Sequence, residues 1–178
     1  MRERLALEPR LCLAANRWGA HRAIGAFFAF ISKLGDGGFW YGLAAILALV
    51  GGPRGVHAAL QMLATGLVAW LLYRTLKRWT RRPRPFRRCD GVIAHVPPLD
   101  EFSFPSGHTL HAVSFSIVAI AWFPVLVLPL CLFTALVAAS RVVLGLHYPS
   151  DVLAAALLGG GLGGGSLWLY SALFPQAF

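Results

Sequence analysis

The sequence is poor in charged residues, and acidic residues are the scarcest of them. Only 13% of its 178 residues are charged, 7 are Asp or Glu, and 57% are hydrophobic. A soluble domain usually carries about a quarter charged residues. The composition therefore excludes an ordinary soluble protein and indicates a polytopic membrane protein. With about 20 residues per span, the chain can hold about six spans with short links, and no second soluble domain fits.

Cysteine is also scarce. The three cysteines, Cys12, Cys89 and Cys131, are odd in number, scattered, and contain no Cys-x-x-Cys pair. This pattern excludes a disulfide framework and a cysteine zinc site. The few carboxylates form no cluster of the kind that holds a divalent cation. We therefore predict neither a metal site nor a cofactor.

The charges that are present are mostly basic. The net charge of +9 is concentrated near the N-terminus and between Lys77 and Arg88. In a soluble protein such a balance would suggest nucleic acid, but the sequence has no nucleic-acid-binding signature. In a membrane protein the better partners are anionic lipid headgroups and phosphates.

Apolar runs and their breaks predict an all-α polytopic membrane helix bundle of about six transmembrane helices. The expected spans are 23–34, 39–50, 56–79, 107–122, 125–143 and 152–173. Residues 1–22 are basic and lack the order of a cleaved signal peptide, so they predict a short interfacial helix. Residues 23–178 then form the transmembrane domain.

The stretch 140–151 places Arg141, His147 and Asp151 in apolar surroundings. Ionisable groups near a membrane are costly and are functional candidates by default. Arginine can hold an oxyanion with two hydrogen bonds, and histidine can act as a base or a nucleophile. Pro149 favours the start of a helix, which would put Asp151 in its first turn, within reach of His147. The alternative is a cluster of side chains that extend to the interface.

Two further stretches carry polar groups. Seven of the sixteen basic residues lie between Lys77 and Arg88, where Pro83 and Pro85 stop the helix and favour extended backbone at the residues before them. Residues 105–108 read Pro-Ser-Gly-His. The serine is a good N-cap, and the glycine allows close backbone approach. A helix N-terminus is a ready phosphate site, and the histidine would lie in its first turn.

Topology predicts that these stretches meet. Two spans separate residues 105–108 from residues 141–147, so the chain returns to the same face, and the basic cluster adjoins that face. By the same count, with six spans, both termini lie on the opposite face. Asp36 lies on the face of the motifs.

Together the three stretches form a pattern that resembles the type 2 phosphatidic acid phosphatase (PAP2) superfamily. The motifs are Lys77 with six residues before Arg84-Pro85, then Pro105-Ser106-Gly107-His108, then Ser140-Arg141 with five residues before His147 and three more before Asp151. The resemblance covers most of the chain and implies that residues 23–178 are a PAP2-like phosphatase domain.

The resemblance implies metal-independent hydrolysis of a lipid phosphomonoester or diphosphate through a phosphohistidine. His147 would be the nucleophile, Asp151 its orienting partner and His108 the general acid. The phosphate-binding residues would be Lys77, Arg84, Ser106, Gly107 and Arg141. The substrate stays open among phosphatidate, phosphatidylglycerophosphate, undecaprenyl diphosphate and lipid A phosphates. A non-catalytic lipid-binding or lipid-moving protein is the alternative. The motifs also resemble vanadate-dependent haloperoxidases, which are soluble.

Other polar residues receive simpler interpretations. His111 and His108 form a His-x-x-His pair without a third zinc ligand, so we expect His111 to make a contact between helices. Asp36 could cap a helix or support the site. We expect Asp100 and Glu101 to screen the basic loop. The arginines expected to solvate that loop or attract lipid phosphates, without a catalytic role, are Arg78, Arg81, Arg82, Arg87 and Arg88.

Two predictions concern assembly and orientation. The glycine-rich run 159–165 favours close helix packing, within the monomer or in a homodimer. The positive-inside rule would place the loop 77–88 in the cytoplasm, whereas the basic N-terminus, on the other face, opposes this. Because Lys77 and Arg84 of the loop have a catalytic explanation, we expect cytoplasmic termini. The active site would then face the periplasm or the outside of the cytoplasmic (inner) membrane.

Overall fold

The computed structural model describes residues 2–175, with side chains from Leu7 onward, and over this range it is all-helical. The helices are α1 (Arg2–Gly19), α2 (Arg22–Leu34), α3 (Gly38–Val50), α4 (Gly52–Thr80), α5 (Gly107–Trp122), α6 (Val127–Val143) and α7 (Pro149–Leu173). One 3-10 turn, Pro85–Arg87, lies in the segment between α4 and α5, and another, Pro124–Leu126, directly precedes α6. The predicted all-α membrane bundle is confirmed. Of the predicted N-terminal charges, the side chains of Arg2, Glu3 and Arg4 lie outside the described residues.

The six expected spans correspond to α2–α7. Three stretches are long and apolar enough to cross a membrane, namely Gly52–Arg87, Pro124–Val143 and Pro149–Leu173, and α3 and α5 are shorter apolar helices. Helix α4 ends at Thr80, and the next residue, Arg81, adopts a left-handed conformation two positions before Pro83. The turn before α7 requires Gly145, which has a φ of 73° and a backbone so close to Ile93 that a Cβ would lie 2.3 Å from its carbonyl oxygen.

Helices α2 and α3 both contact the same helix, α6. Each has 13 residues, or about 20 Å, which is too short for a hydrocarbon core of about 30 Å. A Cβ on Gly35 would lie 2.9 Å from Val137. The rings of Phe39 and Phe133 lie 4.2 Å apart. A Cβ on Gly51 would lie 2.9 Å from the Phe123 ring, before α6 begins. The end of α2 therefore lies at the motif end of α6, where Ser32 contacts Arg141 and Asp36 lies beside His108. Helix α3 runs antiparallel to α6 from there to its other end, so the two helices together make one broken crossing.

This broken crossing changes the predicted position of the N-terminal segment. Asn16 of α1 donates hydrogen bonds to the carbonyls of Val143 (3.1 Å) and Ile93 (2.9 Å), and Glu8 accepts one from the amide of Ser150 (3.1 Å). Helix α1 thus lies on the face that carries the motifs, and the prediction that both termini lie on the opposite face is wrong. The physical reason is that α2 already ends on the motif face, so α2 and α3 together make one crossing and not two. Leu173, at the end of α7, lies on the opposite face as predicted.

Close packing of α5 against α7 brings two of the motifs side by side. A Cβ on Gly159 would lie 2.7 Å from the Leu110 carbonyl oxygen, and one on Gly163 would lie 2.9 Å from Ile117. These two glycines let the backbones approach, so the glycine-rich run serves packing within the monomer. At the start of the two helices, the Ser106 amide donates to the Asp151 carbonyl at 3.3 Å. The second and third motifs are therefore joined by backbone as well as by topology.

Candidate active site

A cavity of about 690 Å³ opens among α3, α4 and α5 on the motif face. Of the predicted site residues, those that line it are Lys77, Arg84, Gly107, His108, Arg141 and His147. Ser106 and Asp151 are fully buried behind its wall. Three distant stretches of sequence are thus brought to one cavity, as their spacing and topology predicted.

His147 lies on the short segment between α6 and α7, where its amide donates to the Arg141 carbonyl at 3.0 Å. Its Nε2 is 3.3 Å from Arg84 Nη1, and its Nδ1 is 3.6 Å from Asp151 Oδ2. Because a guanidinium can only donate, Nε2 accepts, and the proton of the neutral ring is on Nδ1, toward Asp151. Burial, and then the positive charges of Arg141, Arg84 and Lys77, keep the pKa of His147 well below its usual value. The neutral ring lines the cavity, and the lone pair on Nε2 is directed toward Arg84.

Two groups hold the Asp151 carboxylate, a backbone amide and an arginine. It lies in the first turn of α7, and its Oδ2 accepts the Tyr148 amide at 2.9 Å, which caps the helix. Its Oδ1 is 2.6 Å from Arg82 Nη1. The Arg82 guanidinium stacks 4.0 Å from the centre of the Tyr148 ring and pairs with Glu8 of α1 at 2.8 Å. Arg82 is thus not a loop-solvating residue as expected, because the buried carboxylate of Asp151 needs a cation.

Asp100 joins two of the predicted phosphate-binding cations. Its Oδ1 lies 2.7 Å from Arg84 Nη2, and both of its oxygens lie 2.7 Å from Lys77 Nζ. Burial alone would raise the pKa of Asp100, but the Lys77 hydrogen bond and the charges of Lys77 and Arg84 outweigh it and lower that pKa. We expected Asp100 only to screen the basic loop, whereas it pairs directly with two buried cations of the site. The residues lie 23 and 16 positions apart, so local spacing gave no signal beyond the rule that buried cations are paired.

Arg141 is the third cation and extends from the last turn of α6. One of its terminal nitrogens donates to Ser32 Oγ of α2. Its Nε is buried and has no hydrogen-bond partner among the described residues, while the side chain lines the cavity. A buried donor without a partner is costly. An oxygen of a bound phosphate would satisfy it.

The Pro-Ser-Gly-His stretch begins α5. Ser106 caps the helix by accepting the Thr109 amide at 3.4 Å, and its hydroxyl also pairs with Thr109 Oγ1 at 2.9 Å. The predicted N-cap is confirmed, but the hydroxyl points into the helix and does not line the cavity. Gly107 lines the cavity beside His108, whose Nε2 lies 3.5 Å from Asp36 Oδ1.

His111 belongs to the helix packing. Its Nδ1 lies 3.0 Å from the Gly107 carbonyl oxygen, and its Nε2 lies 3.2 Å from the Gly66 carbonyl oxygen of α4. The predicted contact between helices is confirmed. Within residues 2–175, no group of three or more His, Cys, Asp or Glu side chains is placed to hold a metal ion.

The family model of the PAP2 superfamily matches residues 55–175, which include all three motifs. This chain belongs to the PAP2 superfamily. It is 28% identical over 140 residues to an undecaprenyl-diphosphatase of Sulfolobus acidocaldarius, a match over 76% of this chain and 66% of that protein. It is 32% identical over 134 residues to a decaprenylphosphoryl-5-phosphoribose phosphatase of Mycobacterium tuberculosis, over 75% and 73% of the two chains.

A solved structure is also similar to this PAP2 chain. It is the PAP2-type phosphatidylglycerolphosphate phosphatase of Bacillus subtilis, with a TM-score of 0.79, 25% identity, and coverage of 97% of this chain and 89% of that one. The predicted family and the predicted class, a membrane lipid phosphatase, are therefore confirmed. The roles of the individual site residues are proposals.

Proposed function

We propose that this PAP2 phosphatase removes a phosphoryl group from a membrane lipid through a phosphohistidine at His147, without a metal ion. The observation that carries the proposal is the orientation of His147. It lines the cavity with Nε2 beside Arg84 and Nδ1 on the side of Asp151. A nucleophile oriented by a carboxylate beside fixed cations is the arrangement that phosphoryl transfer requires.

The first step forms the bond from His147 Nε2 to phosphorus and breaks the bond from phosphorus to the lipid oxygen. Asp151 stabilises the positive charge that develops on the ring. Lys77, Arg84 and Arg141 neutralise the equatorial oxygens of the transition state. His108 gives a proton to the departing lipid oxygen, because an alkoxide is a poor leaving group.

The second step returns the enzyme to its starting state. Water attacks the phosphohistidine and gives a proton to His108, which now acts as a base. The bond from phosphorus to His147 Nε2 breaks, and inorganic phosphate leaves. Both steps use the same cations, so the protein needs no rearrangement between them.

The shape and chemistry of the cavity support a lipid substrate. Beyond the cations its wall continues along Tyr41 of α3 and Leu63, Leu67 and Trp70 of α4. An apolar chain in the bilayer can lie along these side chains while its phosphate reaches the motif face. The relatives named above act on polyprenyl and glycerol-based lipids, and both classes, together with lipid A phosphates, are candidate substrates. A lipid-binding or lipid-moving protein would not require the pairing of His147 with Asp151.

The test is phosphate release by purified protein from a panel of these lipids in detergent. We expect release by the wild type and by His21→Ala, a control at an exposed histidine before α2. His147→Ala should be folded and inactive. Residual activity within about tenfold of wild type, or about 1.4 kcal/mol of barrier, would count against a covalent role for His147. Absence of release from every lipid by the wild type would contradict the function itself.

The membrane orientation is also a proposal. The expected outward-facing site in the inner membrane relied on a basic N-terminus on the other face. The contacts of α1 place that segment beside the basic loop, so the two no longer oppose each other. The positive-inside rule then favours the cytoplasm for the catalytic face. We propose that orientation in place of the outward one.

Two further predictions also stay proposals. The first is the division into a basic segment 1–22 and a phosphatase domain 23–178. The second is a homodimer through the last helix. Gly159 and Gly163 already contact α5, whereas Cβ atoms at Gly160, Gly161, Gly164 and Gly165 would meet nothing within 4 Å. A dimer would therefore use the second set, and the mass of the protein in detergent would test it.

A further inference from the structure

The positive charges around the cavity disfavour the protonated form of His108, which is the form that a general acid requires. To protonate a leaving oxygen, the ring must carry a proton on each nitrogen. The basic groups that share its surroundings are Lys77 of α4, His111 of α5, Arg141 of α6, and Arg84 and His147 of the connecting segments. Every positive charge among them disfavours a further one on His108. A carboxylate is needed to offset them.

Asp36 is placed to be that carboxylate. It lies on the turn between α2 and α3, and its Oδ1 is 3.5 Å from His108 Nε2. The turn is fixed in place because Gly35 packs against Val137 of α6 and Gly37 adopts a φ of 104°. Asp36 lines the cavity with 46% of its side chain exposed. Partial burial raises the pKa of Asp36, and the positive charge of Arg141 opposes that rise and favours the carboxylate.

A purely local role for Asp36 finds little support. The residue precedes α3, where a side-chain oxygen often caps the helix. However, the N-cap of α3 is Gly37, and the helix start receives no side-chain hydrogen bond. Among the described residues, the ion pair that the Asp36 carboxylate makes is with the ring of His108, at 3.5 Å. The expectation that Asp36 caps a helix is thus not met, whereas a role in support of the site fits its position.

We propose that Asp36 is a positioning residue for His108. It holds Nε2 and offsets the neighbouring cations, so that Nδ1 presents a proton to the lipid oxygen in the first step and takes one from water in the second. This inference rests on the proposed function, in which His108 is the general acid. The cavity then holds two histidine–carboxylate pairs of similar length, 3.6 Å for the nucleophile His147 and 3.5 Å for the acid.

The test uses the dependence of rate on the leaving group. Asp36→Asn keeps the size of the side chain and removes its charge, and Asp90→Asn, on the exposed loop after the basic cluster, is the matched control. Rates are measured on phosphatidate in detergent, whose leaving group is the alcohol diacylglycerol, and on p-nitrophenyl phosphate, whose leaving group needs no proton. We expect Asp36→Asn to lose about tenfold or more on phosphatidate and less than about threefold on the aryl phosphate. Asp90→Asn should match wild type on both.

A double-mutant cycle shows whether Asp36 acts through His108. His108→Ala should itself lose more on phosphatidate than on the aryl phosphate, and adding Asp36→Asn should cost nothing further. Asp36→Glu, which keeps the charge, should retain more activity than Asp36→Asn.

Three outcomes would overturn the proposal. Additive losses in the double variant would mean that Asp36 acts elsewhere. Equal losses on both substrates with a raised KM would mean that it acts on phosphate binding through Arg141. Equal losses on both substrates for His108→Ala would remove the acid role of His108 and this inference with it, whereas His147→Ala would still test covalent catalysis separately.

Discussion

Arg82 and Asp151 form an ion pair directly behind the catalytic cavity, with Nη1 and Oδ1 2.6 Å apart. Asp151 is fully buried, whereas 30% of the Arg82 side chain is exposed. The other terminal nitrogen of Arg82 binds Glu8 of α1. The carboxylate that we propose orients the nucleophile is therefore linked to a helix that carries none of the family motifs.

We expect Arg82→Ala to lower kcat by about tenfold to a hundredfold with little change in KM. Removing the cation leaves the buried Asp151 charge without its partner, and this carboxylate can no longer hold the His147 ring in place. Arg82→Lys should recover part of the loss. Arg87→Ala is the control, because Arg87 pairs only loosely, at 3.5 Å, with the exposed Glu101. Steady-state kinetics of the three variants check this, and an equal loss for Arg87→Ala would contradict it.

Asp100 should make the folded protein sensitive to acid. Its pKa is lowered in the folded state, so its carboxylate contributes stability above the unfolded value of 3.8, and this contribution is lost as pH falls through the folded value. The wild type should therefore lose melting temperature below about pH 4 more steeply than Asp100→Asn. Glu101→Gln, next in sequence, should follow the wild type. Melting followed by tryptophan fluorescence in detergent measures this, and parallel curves for wild type and Asp100→Asn would contradict it.

Turnover should survive EDTA and be inhibited by vanadate. Lys77, Arg84 and Arg141 are fixed around the cavity and can neutralise phosphoryl oxygens without a divalent cation. Vanadate mimics the pentacoordinate phosphoryl group and should bind among these cations. The measurement is phosphate release with chelator and with increasing vanadate. Complete loss in chelator, restored by magnesium or zinc, would show that a metal takes part.

Cysteine labelling should assign the two faces. In a variant without Cys12, Cys89 and Cys131, a cysteine at Asp90 lies on the catalytic face and one at Val125 lies on the other, both at exposed positions. If the catalytic face is cytoplasmic, a membrane-impermeant maleimide added to intact cells should label Val125→Cys, and Asp90→Cys only after lysis. The reverse pattern would restore the outward orientation.

Sequence predicted the helices and the motif residues well because both depend on local signals. Apolar runs, Pro149 and Ser106 mark helix limits to within a few residues, and the spacing from Arg141 to Asp151 is set by one turn and one helix start. The parity of the crossings failed because an apolar run of 13 residues can stay at one face or cross the bundle, and α2 and α3 have the same length. Only the contacts of α2 with the motif end of α6 show which of the two crosses.

The charged partners of the site could not be read in the same way. Asp100, Arg82 and Asp36 meet Lys77, Asp151 and His108 across 23, 69 and 72 positions of sequence. Such pairs follow from the folded arrangement of helices and from the cost of burying an uncompensated charge. The sequence shows that charges are present near the motifs, whereas only the fold shows which of them meet.

The close contact of α5 with α7 also limits how far these two helices can move relative to each other. Gly163 lies 14 positions into α7 from Pro149, or about 21 Å along the axis, yet it helps to set how His108 and Asp151 face each other at the other end. A bulky side chain at this position would push α7 away from α5 and so increase the distance between His108 and Asp151 without touching either. The arrangement of the site thus depends in part on helix packing that lies far from it, in the interior of the bundle.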